Sequence, residues 1–200
     1  MTDTDLGAAL PLPTASDAFA DRLARRRSAP AQSLAAPGPS RDEVERILLL
    51  GARTPDHGKL FPWRFVVLGP KSRAELAEQL LPLADAQPGA DKARKVLNKL
   101  TAPPLTILVV SSPVDSPKVP VWEQQLSAGA VCMNLEHAAN ALGYSASWIT
   151  DWYSYDAAAV ALLGLRAGET VAGFIHIGTL AEAPLERPRP DLTAITEWKL

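Results

Sequence analysis

The chain reads as an α+β domain, a mixed β-sheet surrounded by helices, on three observations. Several segments repeat apolar residues at helical spacing, while residues 64–68, 105–111 and 170–177 form short runs rich in β-branched and aromatic side chains. Helices and strands do not alternate strictly, and neither G-x-G-x-x-G nor G-x-x-x-x-G-K-[ST] occurs, which argues against a doubly wound nucleotide fold. The 200 residues are 47% hydrophobic, enough for one domain with a real core plus extensions.

The first fifteen residues carry Asp3 and Asp5 without a basic region, so they read as a flexible arm and not a secretory signal. Ser16 caps a helix through Phe19, Leu23 and Ala24, with Asp17 in the first turn and arginines in the last, both matched to the helix dipole. Residues 35–40 form a Pro/Gly turn, and Ser40 with Glu43 makes a capping box that opens a helix over about 41–53. Pro55 stops that helix, and the loop with Asp56, His57, Pro62 and Trp63 leads into a strand at 64–68. Ser72 is expected to cap the next helix, which ends before Pro88 and Gly89, and residues 90–100 read as helical again.

Residues 105–111 are apolar without alternation, the pattern of a strand buried on both faces. The longest helical pattern covers 122–142, with Leu126, Ala130, Met133, His137 and Ala141 on one side and small residues almost everywhere else; Gly143 ends it. A strand over 144–150, a short helix over 156–163 and a last strand over 170–177 follow. The body of the domain is therefore 16–183. Residues 184–200 form a proline-containing tail ending in Glu197-Trp198-Lys199-Leu200, expected to pack on a partner subunit.

A net charge of −2 gives no global attraction to nucleic acid or to an anionic membrane, and no apolar window is long enough to span a bilayer. The single cysteine, Cys132, sits on a helix face and reads as a buried, inert thiol; with no disulfide possible within the chain, a cytoplasmic setting fits best. Hydrolytic chemistry finds no footing, because none of His57, His137 and His176 is placed for a triad and no G-x-S-x-G elbow occurs. His137 and His176 read as structural, and Asp56-His57 alone is too few ligands for a metal. No catalytic side chain is assigned. Arg26, Arg27 and Ser28 do combine bidentate donors, a hydroxyl and a turn, a set suited to a phosphate monoester, and Arg53 and His57 add donors from another loop.

Arg26-Arg27-Ser28, then Gly51-Ala52-Arg53-Thr54-Pro55-Asp56-His57 with Pro62-Trp63, resembles the FMN-dependent nitroreductase family, and within it the small bacterial branch of NAD(P)H nitroreductases. The likeness continues through Lys118-Val119-Pro120, Trp122-Glu123-Gln124, Ser127-Ala128-Gly129, residues 148–150, and Gly173-Phe174 to Gly178-Thr179, in order over about residues 19–180. The resemblance implies a nitroreductase-like homodimer with FMN at the subunit interface. It implies that Arg26, Arg27 and Ser28 hold the phosphate and ribityl end, that Arg53 and His57 contact the cofactor, that the backbone of Trp148, Ile149 and Thr150 lies along the isoalloxazine, and that nicotinamide comes near Ala138. The activity implied is ping-pong hydride transfer from NADH or NADPH through the flavin to a nitroaromatic, quinone or related acceptor. A flavin-dependent dehydrogenase or dehalogenase, or a non-enzymatic flavin-binding protein, are the alternatives.

Two departures from the family pattern stand out. Ala29-Pro30-Ala31-Gln32 follows Ser28 where relatives carry another arginine, so Arg187 or, preferably, Arg189 is expected to complete the phosphate clamp. Ile149 stands where a cation is usual, and Asp151-Trp152-Tyr153 replaces small residues, which suggests a bulkier aromatic wall over the flavin.

Overall fold

A computed structural model describes residues 7–199; residues 1–6 of the expected N-terminal arm, and Leu200, lie outside the described residues. Eight α-helices and four strands follow in the order α1 (Asp17–Arg25), α2 (Arg41–Gly51), β1 (Trp63–Leu68), α3 (Pro70–Asp85), α4 (Ala90–Val96), α5 (Asn98–Thr101), β2 (Leu105–Ser111), α6 (Val121–Ala141), β3 (Ser145–Ile149), α7 (Ala157–Leu162), β4 (Thr170–Gly178) and α8 (Leu192–Ile195). Short 3₁₀ turns at Ala31–Ser33 and Trp152–Ser154 were not foreseen from the sequence.

The strands form one sheet in the order β1-β2-β4-β3. The class is α+β as expected, but the sheet is antiparallel at every pairing and not mixed. The reason lies in the order: β1 returns into β2 and β3 into β4 as antiparallel neighbours, while the β2-α6-β3 connection crosses over, leaving the parallel strands β2 and β3 separated by β4, which runs antiparallel to both. All seven residues of β2 are buried, as its unbroken apolar run predicts. Its alternate side chains feed two cores. Ile107 and Val109 pack with Val44 and Ile47 of α2 and with Val131, Leu135 and Ala139 of α6, whereas Leu108 and Val110 pack with Leu76 and Leu80 of α3, Leu97, Leu100 and Tyr153. Helices thus cover both faces of the sheet because a two-sided apolar strand needs cover on each.

Ser16 and Ser40 cap α1 and α2 as expected, the latter in a complete capping box with Glu43. Ser72 does not cap α3. Pro70 occupies the first turn, where its missing N–H costs nothing, so the helix starts three residues earlier, behind Gly69. Arg73 of this helix is buried and donates from Nη1 to Leu100 O at 2.7 Å and from Nε to Gly69 O at 3.2 Å, closing the end of α5.

His176 on β4 is fully buried and structural: Thr106 of β2 lies 2.8 Å from its Nδ1, and burial pushes the imidazole down to about 3. In the unfolded chain the same ring takes a proton near 6.5, so acidification favours the unfolded state from about pH 6.5 downward. Wild-type stability measured by urea denaturation should therefore drop by about 2 kcal/mol between pH 6.5 and pH 5. His176→Gln should remove most of that slope, and an unchanged slope would assign it to other groups.

Candidate functional site

The loop after α2 runs along α6 and is tied to it at successive points. Thr54 Oγ1 donates to Gly51 O at 2.8 Å and accepts from Asn134 Nδ2 at 2.7 Å. Ser127 Oγ donates to Pro55 O at 2.9 Å and accepts from Trp63 Nε1 at 3.2 Å, so Trp63 braces the loop. Asp56 Oδ1 accepts from Leu60 N at 2.7 Å, and the chain turns tightly through Gly58, Lys59 and Phe61, all at positive φ. Two of these are not glycine, an expense that concentrates at sites held by their surroundings. The result presents His57, with Nδ1 2.8 Å from Glu123 Oε2 at the start of α6. A carboxylate only accepts, so Nδ1 donates in this contact. Arg53 is exposed on the same loop.

The second group lies beside β3. Ala29 N donates to Ala146 O at 3.1 Å, which lays the segment from Arg26 to Ser28 along the edge of the sheet. Arg26 Nη1 lies 3.3 Å from Glu136 Oε2, and Ser28 Oγ 3.5 Å from Glu136 Oε1. Arg27 donates to Ser28 O at 2.8 Å and to Leu185 O at 3.1 Å, and Arg189 Nη2 donates to Arg26 O at 3.2 Å. The tail therefore folds back onto the arginine segment, and Arg189, not Arg187, is the tail cation that reaches it. A cavity of about 410 Å³ opens here, lined by Arg22, Arg25, Arg26 and Arg27 together with Tyr144, Ser145 and one carboxylate, Asp21, which pairs with Arg25 at 2.7 Å. Such a concentration of guanidinium groups around one hollow suits a phosphate group.

Trp148 closes the group. Its Nε1 donates to Ala172 O at 3.1 Å, and its indole crosses β4 at Gly173, where a Cβ would lie 2.1 Å from Nε1; the far edge of the ring reaches Gly129 of α6. Thr150 Oγ1 lies 2.6 Å from Tyr155 OH, and Tyr155 is exposed. The aromatic wall expected from Trp152 and Tyr153 is not there. Tyr153 is buried in the second core and Trp152 turns inward to donate to Ala93 O, because the 3₁₀ turn points both rings under the sheet; Tyr155 is the aromatic side chain beside Thr150.

The two groups do not meet within one chain. Glu123 and Glu136 are thirteen positions apart on α6, which puts His57 and Arg26 about 20 Å apart along the axis and on roughly opposite faces of the helix. Ala138 is buried in the first core among Ala139, Leu135 and Ile175, so its burial gives no support to a nicotinamide contact there. Glu123 entered the sequence reading only within a family-like segment, and neither it nor Glu136 was given a place in the site. The signal for Glu136 was present as a lone carboxylate inside an apolar helical stretch, NLEHAANAL, where it needs a cationic partner. Among the described residues no cluster of three or more potential metal ligands occurs. No helix among them is long and apolar enough to cross a membrane.

Residues 23–179 match the family model described as "Nitroreductase family". The chain is 35% identical over 158 residues to "Putative NAD(P)H nitroreductase YdjA" of Escherichia coli K12, covering 78% of this chain and 85% of that protein. It is 37% identical over 152 residues to "Putative NAD(P)H nitroreductase" of Haemophilus influenzae, covering 74% and 82%. Among solved structures, the nitroreductase-like family protein from Bacillus cereus superposes with a TM-score of 0.79 at 21% identity, over 94% of this chain and 99% of that one. The nitroreductase with bound FMN from Bacteroides fragilis gives 0.71 at 21% identity, over 92% and 100%. The chain belongs to the nitroreductase family.

Two outcomes follow from the packing. Burial pushes the Cys132 thiol up to about 12, so it should resist alkylation by iodoacetamide in the folded chain and react only on unfolding, as read by mass spectrometry. Gly173→Ala should displace the Trp148 indole and cost about 1–3 kcal/mol in urea denaturation.

Proposed function

We propose that this nitroreductase-family member is an FMN-dependent oxidoreductase that uses NADH or NADPH to reduce nitroaromatic, quinone or related electron-poor acceptors. The observation that carries the reading is that Glu136 touches both Arg26 and Ser28, at 3.3 and 3.5 Å, and the backbone N–H of Trp148, which ties the arginine segment to the end of β3. A ligand with a phosphate at one end and a flat heteroaromatic ring at the other uses both parts. The donor set fits FMN. Guanidinium groups and a hydroxyl suit a phosphomonoester, and the open backbone edge at the end of β3 suits a ring bearing carbonyl and imide groups. The names of the relatives and the FMN bound in a neighbouring structure support the same assignment.

When bound, FMN would supply the redox chemistry, ping-pong hydride transfer between the nicotinamide and the acceptor. The residues of this chain bind and orient. Arg26, Arg27 and Ser28, with Arg189 from the tail, hold the phosphate end, and the backbone of Trp148, Ile149 and Thr150 lines the ring. His57, held by Glu123, and Arg53 reach the cofactor of a second copy, since α6 stands between them and the Arg26 group of their own chain. This is the support for a homodimer with two sites at its interface. The exposed Val121, Trp122 and Leu126 at the start of α6, and Leu192, Ile195 and Trp198 in the tail, supply apolar surface for the contact. The domain is then 16–183, with the tail 184–200 as a strap on the partner.

The purified protein should show flavin absorbance, or acquire it with FMN, should run as a dimer on size-exclusion chromatography, and should oxidise NADH or NADPH with a nitroaromatic acceptor. Absence of any flavin band after FMN is added would overturn the reading. Arg26→Ala should weaken FMN affinity by about 1.5–3 kcal/mol, the range for a hydrogen bond to a charged group, as measured by quenching of flavin fluorescence.

A further inference from the structure

The guanidinium at the centre of the proposed phosphate site is already paired with a buried carboxylate. Glu136 is 3% exposed, lies 3.3 Å from Arg26 Nη1 and 3.5 Å from Ser28 Oγ, and accepts from the backbone N–H of Trp148. One carboxylate thus touches both the phosphate-binding segment and the strand end assigned to the ring. An approaching anion meets in Arg26 and Glu136 a pair with no net charge. A phosphomonoester brings nearly two negative charges next to a carboxylate that water cannot screen, and two anions sharing one guanidinium repel strongly in such surroundings. A proton on Glu136 removes that repulsion, restores the net charge of Arg26, and turns one carboxyl oxygen into a donor.

We propose that Glu136 is a positioning residue that gates this anion subsite by charge, so that docking of the FMN phosphate on Arg26 and Ser28 proceeds with uptake of a proton by Glu136. The inference rests on the FMN reading above. Burial already holds the Glu136 carboxyl above the usual carboxylate range, against the pull of Arg26, the Trp148 N–H and Ser28. The other titratable or charged groups around it are His137 and Cys132 on α6, Arg26 and Arg27 on the adjoining segment, and Arg189 from the tail. The arginines and the thiol are protonated at neutral pH and can take up nothing. His137, held neutral by burial and by Arg26, is the rival acceptor.

The test is calorimetric titration of the full chain, freed of flavin, with FMN and with riboflavin at pH 7.5, in two buffers of different ionisation enthalpy. At this pH the free phosphate has lost its second proton, whose pKa is about 6, so any uptake belongs to the protein. Proton uptake is expected with FMN and none with riboflavin, which lacks the phosphate. Glu136→Gln should abolish the uptake and bind FMN about fivefold or more tightly than wild type at pH 8.5, a gain that riboflavin does not share. His137→Asn should keep the uptake. No uptake with FMN in the wild type, or uptake that survives Glu136→Gln, overturns the proposal. If Glu136→Gln does not fold, the wild type and His137→Asn decide: uptake in both supports Glu136, and its loss in His137→Asn transfers the role to the imidazole. Failure of either flavin to bind the wild type overturns the FMN reading itself and this inference with it.

Discussion

The close packing of α6 on the sheet is the constraint on which the rest of the structure depends. Ala128, Val131, Cys132, Leu135, Ala138 and Ala139 are all buried, and the small ones among them let the helix approach the strands closely. Within the same core α2 comes close to α6, because Gly51 carries no side chain: a Cβ there would lie 2.4 Å from Leu135 Cδ2. A helix clasped in this way cannot shift without breaking two interfaces at once. Each candidate functional group is hung from it by a side-chain contact, His57 through Glu123 at 2.8 Å and Arg26 through Glu136 at 3.3 Å. The rigidity of the core thereby becomes the rigidity of the site.

Two ion pairs that lie largely out of solvent differ in what they do. Arg64 and Glu169 form a pair 2.6 Å apart, with Ser112 and the backbone of Arg166 as further donors, and Glu169 is held at about 2, a fully satisfied carboxylate that fastens β1 to the turn before β4. Glu136 has longer contacts at 3.3 and 3.5 Å, and burial outweighs them so that its carboxyl is pushed up and not down. The first arrangement is structural, since every lone pair that matters is occupied by a short bond. The second is incomplete, and an incompletely satisfied buried charge beside a cavity lined with arginines is a group whose protonation state responds to what binds.

The sequence made the architecture legible wherever a local rule and the tertiary structure agreed. The unbroken apolar run of β2, the capping box at Ser40 and Glu43, and the glycine after α6 each acted through neighbours a few residues away. The start of α3 was misjudged because Ser72 and Pro70 both satisfy a start rule, and the proline takes the earlier position. Trp152 and Tyr153 were read as a wall because their spacing says nothing of direction, which the 3₁₀ turn sets. Residues of the candidate site were found individually but not their partners. Nothing local in the sequence ties Arg26 to a glutamate 110 positions away, or His57 to one 66 positions away. What the sequence could offer was only that a carboxylate in an apolar helix requires an explanation.

The tail illustrates how polar and apolar contacts divide labour. Its carbonyl at Leu185 and its guanidinium at Arg189 are engaged with Arg27 and Arg26, while Leu192, Ile195 and Trp198 remain exposed. Exposed hydrogen bonds of this kind contribute little and are easily exchanged for water, whereas burying three large apolar side chains contributes on the order of 1.5–3 kcal/mol each. A segment tethered weakly by its polar groups and carrying its apolar groups uncovered is arranged to bind a surface other than the one it rests on. The start of α6 offers such a surface in Trp122 and Leu126, on the same helix that carries Glu123 and the His57 contact. In the dimer proposed above, a second copy docked there would cover the apolar side chains of the tail and bring its own arginine segment toward His57 in the same step, so that dimer formation and completion of the proposed FMN site would be one event.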